Sequence, residues 1–429
     1  MNSLDLLGNR GGSKGDCNMR SGAKQGCGVG HSHSALVAAL LALAGLTGRA
    51  SAADAERERI LEQLNLDIYG FVQMDMIYDF NRVDPDWNDT LRPSKIPNVN
   101  GEFGDDGETI FSVRQTRMGL KGDIPTELGG IKTWFEWKLY GVGSDAGQTT
   151  FRLRHAWGEF GGWGAGQTWS LFMDENTFPN TIDYWGPNGM VFYRNIQLRH
   201  TWQLGEAGSR FAVALERPGT SVDTGEFRNL SPAFADNVQG RDQYPDLTAQ
   251  YRSVHDWGHW QVAGILRRVG FETKGTPGND PSDDLWGGGI NLSTVFHPPF
   301  FGSRDQIKLQ LAYGEAIGFY MNDGGIDLAP ESDNAQQVEL LGFLAYWDHY
   351  WNDKWSTSAG WSIMQMDTTD QQLDDEFKEG HYANLNLLYA PVDPFLTGVE
   401  LVWGRREDKN GETNDDSRVQ FSMKYKFQL

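Results

Sequence analysis

From residue 65 onward, apolar and polar side chains alternate along short runs that Gly, Pro, Asp and Asn clusters separate. In the run 306–313, for example, Ile307, Leu309 and Leu311 share one parity, and the residues between them are mostly polar. A period of two is typical of a β-strand with one apolar and one polar face. Nearly every long run alternates, and none is apolar throughout as a buried parallel strand would be. The pattern predicts an all-β fold of antiparallel strands.

The connections between these runs alternate in length along the chain. Long ones are 80–109, 174–194, 218–246, 272–285, 315–337 and 367–380, and short ones are 125–130, 161–162, 205–209, 352–353 and 391–394. Outer-membrane barrels have short periplasmic turns and longer extracellular loops, whereas a soluble sandwich has no reason for such regularity. We therefore predict a transmembrane antiparallel β-barrel of about sixteen strands over residues 65–429. A large soluble all-β protein is the alternative.

Composition agrees with a barrel in which half of each strand faces lipid. The mean hydropathy of −0.52 is too polar for a membrane protein built of helices. Aromatic residues make up 12% of the chain, and barrels place such rings in girdles at both membrane interfaces. The two cysteines, Cys17 and Cys27, precede the apolar segment 35–46. The chain after that segment therefore offers no disulfide, thiolate metal ligand or cysteine nucleophile.

The N-terminal segment 1–52 has the features of a signal peptide. Positive residues precede the apolar segment 35–46, and small residues before Ala53 supply a cleavage site. The following segment, 53–64, has the apolar spacing of a short helix. We expect this helical leader either to gather three subunits in the periplasm or to be a frayed end.

The net charge of −21 argues against binding to nucleic acid. Most acidic residues fall in the long connections, where they are either solvated or bridged by divalent cations to lipopolysaccharide. The final run alternates and ends with Phe427 and Leu429. Such a last strand is typical of proteins that the barrel-assembly machinery inserts among outer-membrane lipids.

Four segments resemble the DcaP-type outer-membrane porins. They are residues 64–80, 111–141, 151–174 and 177–202, and the third of them reads FRLRHAWGEFGGWGAGQTWSLFMD. The resemblance is strongest over the first third of the mature chain and continues to its end. It implies a sixteen-stranded barrel in the bacterial outer membrane, a homotrimer, and a preference for small anionic solutes such as dicarboxylates.

A barrel of sixteen strands has a wide aqueous lumen, so selectivity requires a constriction. The best candidate is the connection 174–194, which is rich in aromatic residues and contains stiffening prolines. It either folds inward or caps the molecule from outside. The predicted constriction-loop residues are Phe178, Asp183, Tyr184 and Trp185.

Arginine is frequent in the early strands and can grip a carboxylate with two parallel donors. At the bilayer midplane an outward arginine costs about 2–4 kcal/mol, so most should face the lumen or an interface. They form either an anion-attracting ladder or structural ion pairs with Glu136, Glu159 and Asp123. Arg114 and Arg117 have opposite parity, which predicts a bulge between them or a position at the rim. The candidate anion-binding residues are Arg114, Arg117, Lys121, Arg152, Arg154, Arg194 and Arg199.

Signals for catalysis or for a cofactor are poor. The histidines are scattered without zinc-ligand spacing, and the chain has no GxSxG elbow or phosphate-binding glycine loop. We therefore predict a passive porin with no catalytic residues, no metal and no cofactor. Two alternatives remain open. They are a lipid hydrolase using Ser170 with His155 or His200, and a receptor or adhesin barrel using its acidic loops.

Overall fold

The structure is a computed structural model that describes residues 65–205, 208–226, 237–274, 282–299, 302, 304–331 and 334–429. The predicted signal peptide, 1–52, and the predicted helical leader, 53–64, lie outside the described residues.

Strands dominate the described part of the chain. They are β1 (Asn65–Asp79), β2 (Glu108–Ser112), β3 (Arg117–Thr126), β4 (Gly129–Tyr140), β5 (Thr149–Phe160), β6 (Trp163–Trp169), β7 (Arg194–Leu204), β8 (Ser209–Glu216), β9 (Val238–Gly240), β10 (Asp246–His255), β11 (Gly258–Thr273), β12 (Asp283–Phe296), β13 (Gln306–Glu315), β14 (Leu328–Glu331), β15 (Asn334–Gln337), β16 (Glu339–Tyr350), β17 (Trp355–Met366), β18 (Phe377–Val392), β19 (Phe395–Asp408) and β20 (Thr413–Gln428). Single-turn 3-10 helices lie at Pro85–Trp87, Pro93–Lys95, Gly143–Asp145, Glu175–Thr177 and Gly318–Tyr320. No helix among the described residues is long and apolar enough to cross a membrane.

The described strands close into a barrel of sixteen antiparallel lines. β1 pairs with the last strand, β20, on one edge and with β3 and then β2 on the other. β2 and β3 form a single line that is broken at 113–116, and β9 pairs with the end of β11. β14 and β15 form a separate hairpin in the connection between β13 and β16. The predicted barrel of about sixteen strands is confirmed.

The two faces of the barrel wall have opposite chemistry. In β13, Leu311 and Tyr313 are 40% and 49% exposed, whereas Lys308 and Gln310, which have the opposite parity, are 5% and 1% exposed. The same alternation holds in β7, where Leu198 is exposed. A soluble sandwich would bury the apolar face, so the exposed apolar parity is that of a wall surrounded by lipid.

Loops pack against the inner face of this wall. In the third loop (residues 174–194), Met190 and Val191 join a buried apolar cluster with Leu340 of β16 and Met364 of β17. The approach is close, because a Cβ added to Gly189 would lie 2.0 Å from the carbonyl oxygen of Ile363. Glycine is therefore required where the loop meets the wall.

Two further loops contribute to the packing inside the barrel. In the first loop (residues 80–107), Leu91 and Ile96 pack against Tyr382 of β18 and Val402 of β19. In the sixth loop (residues 316–338), Tyr320 and Met321 belong to the same cluster as the third loop. The interior is thus filled by contacts between segments that are far apart in the sequence.

Candidate functional site

The third loop crosses from β6 and β7 to the far side of the barrel. The backbone N–H groups of Ile182 and Asp183 donate to the Glu400 carboxylate of β19 at 3.0 and 2.9 Å. The Phe178 carbonyl oxygen accepts a hydrogen bond of 2.7 Å from Lys308 of β13. Glu400 and Lys308 have the buried, inner parity of their strands. These strands therefore hold the loop backbone at several points along its length.

Asp183 connects the third loop to its neighbours. Its carboxylate accepts hydrogen bonds from Thr90 Oγ1 at 2.9 Å and from the Leu91 N–H at 3.1 Å, both in the first loop. It also accepts from the N–H of Gly186 at 3.0 Å and from the Tyr382 hydroxyl at 3.1 Å. Burial raises the pKa of Asp183. Asp183 thus holds the third loop to the first loop and to β18, as a structural anchor does.

The three predicted aromatic residues of the third loop have different surroundings. Phe178 packs against Phe192 at 5.4 Å, and the Trp185 indole N–H donates to the Asn322 carbonyl oxygen at 2.6 Å. Tyr184 instead stacks on Tyr140 at 3.7 Å, and the Lys138 Nζ lies 4.4 Å from its ring centroid. Tyr184 is therefore the one of the three whose ring lies against a basic residue of the wall.

Three cations stand side by side on the inner face of adjacent strands. Arg117 of β3 is in register with Lys138 of β4, and Lys138 is in register with Arg152 of β5. Residues directly opposite in antiparallel strands have Cβ atoms about 4.5–5.5 Å apart, and like charges there destabilise the pair. We call Arg117, Lys138 and Arg152 the basic row.

Two more arginines adjoin the basic row, since both Arg154 and Arg194 lie within electrostatic range of Lys138. Arg154 lies at a β-bulge in β5, where the register with β4 shifts. The Arg194 guanidinium lies 4.6 Å from the Trp169 ring centroid, and its Nη1 is buried without a hydrogen-bond partner among the described residues. The cluster therefore extends from β3 to the first residue of β7.

Glu136 is the carboxylate that pairs with this cluster. It accepts a hydrogen bond of 2.5 Å from Arg154 Nε and lies 3.5 Å from Arg117 Nε. Its other oxygen accepts from the Tyr69 hydroxyl at 2.6 Å. In the described part of the chain, Lys138, Arg152 and Arg194 form no ion pair within 4.0 Å. Positive charge thus exceeds negative charge at this point of the wall.

The other predicted basic residues lie apart from this cluster. Arg114 lies in the break between β2 and β3, where it pairs with Asp89 at 2.7 Å and donates to the Gly141 carbonyl oxygen at 3.1 Å. Lys121 is exposed, with its Nζ 5.1 Å from the ring centroid of Trp134. Arg199 lines a separate cavity closer to the short turns. The break at 113–116 explains the opposite parity of Arg114 and Arg117.

Lys138 was missed by the sequence analysis, which concentrated on arginine. It has the same parity in β4 as Glu136 and Tyr140, so the polar face of that strand contained the signal. Its register with two arginines could not be read from the sequence, because register depends on the lengths of the turns and on bulges.

The residues considered for lipid hydrolysis do not meet. Ser170 Oγ donates to the Glu216 carboxylate at 2.9 Å, and His155 Nδ1 lies 3.0 Å from Thr168 Oγ1. His200 contacts Trp163 and Trp202 on the outward parity of β7. A nucleophilic serine needs a base within hydrogen-bond reach, and none of these histidines is bonded to Ser170.

Comparisons with known proteins agree with this architecture. The family model described as DcaP outer membrane protein matches residues 42–427. No curated protein matches the chain. The outer membrane channel DcaP of Acinetobacter baumannii has a crystal structure similar to this one, with a TM-score of 0.73 and 22% identity over 89% of this chain and 100% of that chain.

Two porin structures are similar at lower identity. The anion-selective porin from Comamonas acidovorans gives a TM-score of 0.52 and 10% identity over 85% of this chain and 100% of that chain. The trimer form of OmpT from Vibrio cholerae gives a TM-score of 0.51 and 8% identity over 85% of this chain and 99% of that chain. At these identities the likeness concerns the fold alone. The family match spans almost the entire chain, and the chain therefore belongs to the DcaP family of outer-membrane channel proteins, which are porins and not enzymes.

Proposed function

We propose that this outer-membrane porin admits small anionic solutes past a constriction between the third loop and the basic row. The observation that carries the proposal is the register of Arg117, Lys138 and Arg152 on three neighbouring strands. Like charges held directly opposite one another are unfavourable unless something of opposite charge lies between them. An anionic solute in the lumen supplies that charge.

The packing of the third loop supports the position of the constriction. The loop is bonded to β13, β16 and β19, so it occupies the side of the lumen that these strands line. The free path then runs beside β3 to β8. Tyr184 stands at the edge of this path, against Lys138. A solute passing the loop would meet the half-buried Arg117 and Arg152 at short range, and the charge of the buried Lys138 lies close behind them, where screening by salt is weak.

The chemistry of the cations indicates carboxylates as the preferred groups. Arg152 and Arg194 can each offer two parallel N–H donors, which match the two oxygens of a carboxylate. Glu136 lowers the net charge of the cluster, so that a bound anion can also leave, as permeation requires. Small dicarboxylates therefore suit the site, and the same fold in an anion-selective porin supports this direction.

The experiment is the reversal potential of the purified protein in a planar bilayer under a potassium chloride gradient. We expect anion preference in the wild type and its loss in the triple variant Lys138→Gln, Arg152→Gln, Arg194→Gln. The matched control is Arg268→Gln, because Arg268 lies over the exposed Trp286, 5.4 Å from its ring centroid. Unchanged selectivity in the triple variant would show that the cluster has a structural role.

We further propose that the protein assembles as a homotrimer. Small residues on the outward parity of β3 to β6 stand in one register row and allow another subunit to approach closely; they are Gly122, Thr133, Gly158 and Ala165. The trimer form of OmpT supports the same assembly for this fold. Native mass spectrometry should give three copies. Gly158→Leu, which adds a bulky side chain, should reduce that species, while Leu311→Met on the outward parity of β13 should leave it unchanged. A chain lacking 53–64 tests the leader separately.

A further inference from the structure

A cavity of about 470 Å³ opens in the inner wall between the basic row and the short turns. The indole rings of Trp134 and Trp157 line it, together with charged residues of both signs. It lies near Gly130, at the start of β4, and near Gly161, in the turn after β5, next to the path of a solute that has passed the third loop. A cavity of this size accommodates a small organic molecule.

Opposite charges line this cavity on different elements. Glu159 of β5 and Glu175 of the third loop supply the negative charge, and the positive charge comes from Lys132, Arg199, Arg210 and Arg252. Arg252 is paired with Asp174, which leaves Arg199 of β7 and Arg210 of β8 as the lining arginines without an ion pair among the described residues. Within the described chain, neither glutamate forms an ion pair within 4.0 Å of either arginine. The charges therefore remain available for a molecule placed between them.

Hydrogen bonds already fix the arginines in place. Arg199 donates to the Trp169 carbonyl oxygen at 2.5 Å and to Gln197 Oε1, while the Nε of Arg210 donates to Gln250 at 3.2 Å. Burial raises the pKa of Glu175, and the field of Arg252, Arg210 and Arg199 opposes that rise. These arginines are thus within electrostatic range of Glu175, but they do not neutralise it by direct contact.

We propose that this cavity binds zwitterionic solutes, amino acids or short peptides, with the carboxylate on Arg199 and Arg210 and the ammonium group on Glu175. The inference rests on the proposed function insofar as the solute reaches the cavity past the basic row. A simple anion satisfies the arginines but leaves Glu175 without a partner. A zwitterion satisfies both, and its ammonium group can also contact the indole faces, which attract cations.

The test compares three dipeptides of nearly equal size by calorimetric titration of the purified barrel. They are alanyl-alanine, which has both charges, N-acetyl-alanyl-alanine, which lacks the ammonium group, and alanyl-alanine amide, which lacks the carboxylate. We expect alanyl-alanine to bind about three to five times more tightly than either of the others. A difference of this size in the dissociation constant is what one partly exposed charge pair contributes.

Substitutions then assign the preference to residues. Glu175→Gln should make alanyl-alanine and its N-acetyl form bind equally, because the Glu175 carboxylate is needed for the ammonium group alone. Arg210→Gln should weaken the binding of both dipeptides. Glu412→Gln, in the turn between β19 and β20, should leave the binding of both unchanged. Equal binding of the dipeptides by the wild type, or a preference that survives in Glu175→Gln, would overturn the inference.

The two proposals fail in distinguishable ways. If the wild type shows no anion preference in a bilayer but the dipeptides still differ, the function proposed for the basic row is wrong and the cavity assignment stands. If anion preference is present and the dipeptides bind equally, the basic row retains its function and the zwitterion site is wrong.

Discussion

The inner surface of this barrel has two walls that differ in how their charges are satisfied. On the loop wall, formed by β16 to β20 with β1, polar residues are bonded to loops or to one another. Arg418, for example, pairs with Asp79 at 2.6 Å and with Asp416 at 3.0 Å. On the basic wall, formed by β3 to β5 and the start of β7, Lys138 and Arg152 stand opposite each other without a carboxylate between them.

The difference separates structural charge from functional charge. A buried ion pair is expensive to break, because removing one partner leaves the other charge buried alone. A buried group of like charges is unfavourable in the empty protein and becomes favourable when an anion arrives. Residues of the loop wall should therefore govern stability, and residues of the basic wall should govern selectivity.

The loop wall should be sensitive to loss of Arg418. Arg418→Met leaves Asp79 and Asp416 buried without their cation, and we expect the free energy of unfolding to fall by about 3–5 kcal/mol. Denaturant titration in lipid vesicles measures it. Arg405→Met is the control, because Arg405 is partly exposed and donates to Thr413 at 3.1 Å, so its loss should cost about 1 kcal/mol or less. A similar loss of unfolding free energy in the two variants would contradict a structural role for the charges of the loop wall.

The attachment of the third loop should depend on pH through Asp174. Burial alone would raise its pKa, but a hydrogen bond from His259 and the nearby charge of Arg252 outweigh burial and lower the pKa from 3.8 to about 2. Because the pKa is lower in the folded state, the ionised carboxylate stabilises the fold above pH 4. This contribution, about 2 kcal/mol, is lost as the pH falls from about 4 to about 2.

Unfolding free energies of the wild type and Asp174→Asn at pH 7 and pH 3 check this. The difference between the two proteins should be largest at pH 7 and should shrink at pH 3. Asp106→Asn, in an exposed part of the first loop, should show no such change. If the difference in unfolding free energy between the two proteins grows on acidification, the predicted direction of the Asp174 contribution is wrong.

Glu400→Gln should loosen the third loop without unfolding the barrel. The glutamine retains one acceptor oxygen, so one of the N–H groups of Ile182 and Asp183 loses its partner, at a cost of about 1–2 kcal/mol. Single-channel recordings should show greater current noise in the open state. Glu407→Gln, whose carboxylate pairs with Lys378 at 3.3 Å near the end of β19, should leave the noise unchanged. Equal noise in both variants would show that Glu400 does not hold the loop.

Two inner-face lysines provide the finest comparison. Lys138 is buried beside two arginines, so Lys138→Gln should relieve repulsion and raise the free energy of unfolding by up to about 1 kcal/mol. Lys308 pairs with Asp348 at 2.8 Å, so Lys308→Gln should lower it. Denaturant titration of the two single variants measures the change in the free energy of unfolding for each. A loss of stability in both would place Lys138 among the structural residues.

Much of the fold could be predicted from local patterns. The alternation in β7, β13 and β20 identified strands and even which parity would be exposed. The conflict of parity between Arg114 and Arg117 correctly indicated an irregularity, which is the break at 113–116. The pattern could not show that Arg114 pairs with Asp89, because that contact depends on how the first loop folds.

The candidate site was less accessible from sequence. The arginine-rich strands bring Arg117, Arg152, Arg154 and Arg194 together around Lys138. Whether this cluster sets the selectivity of the channel stays a prediction. Whether each arginine is paired depends on register and on the bulge at Arg154, which shifts every later residue relative to β4. The partners of the first loop lie still further away, as in the pair between Arg92 and Asp323, which are 231 residues apart.

Local patterns along the chain establish the wall of the barrel, a series of alternating strands with an apolar face toward lipid. They can do so because the pleat of a strand is local, and two neighbouring residues suffice to assign opposite faces. Which charges stand next to one another, in contrast, depends on the folded barrel. That information is not local, because the pairing of Lys138 with Arg152 and the bonding of the third loop to Glu400 exist only once the barrel has closed.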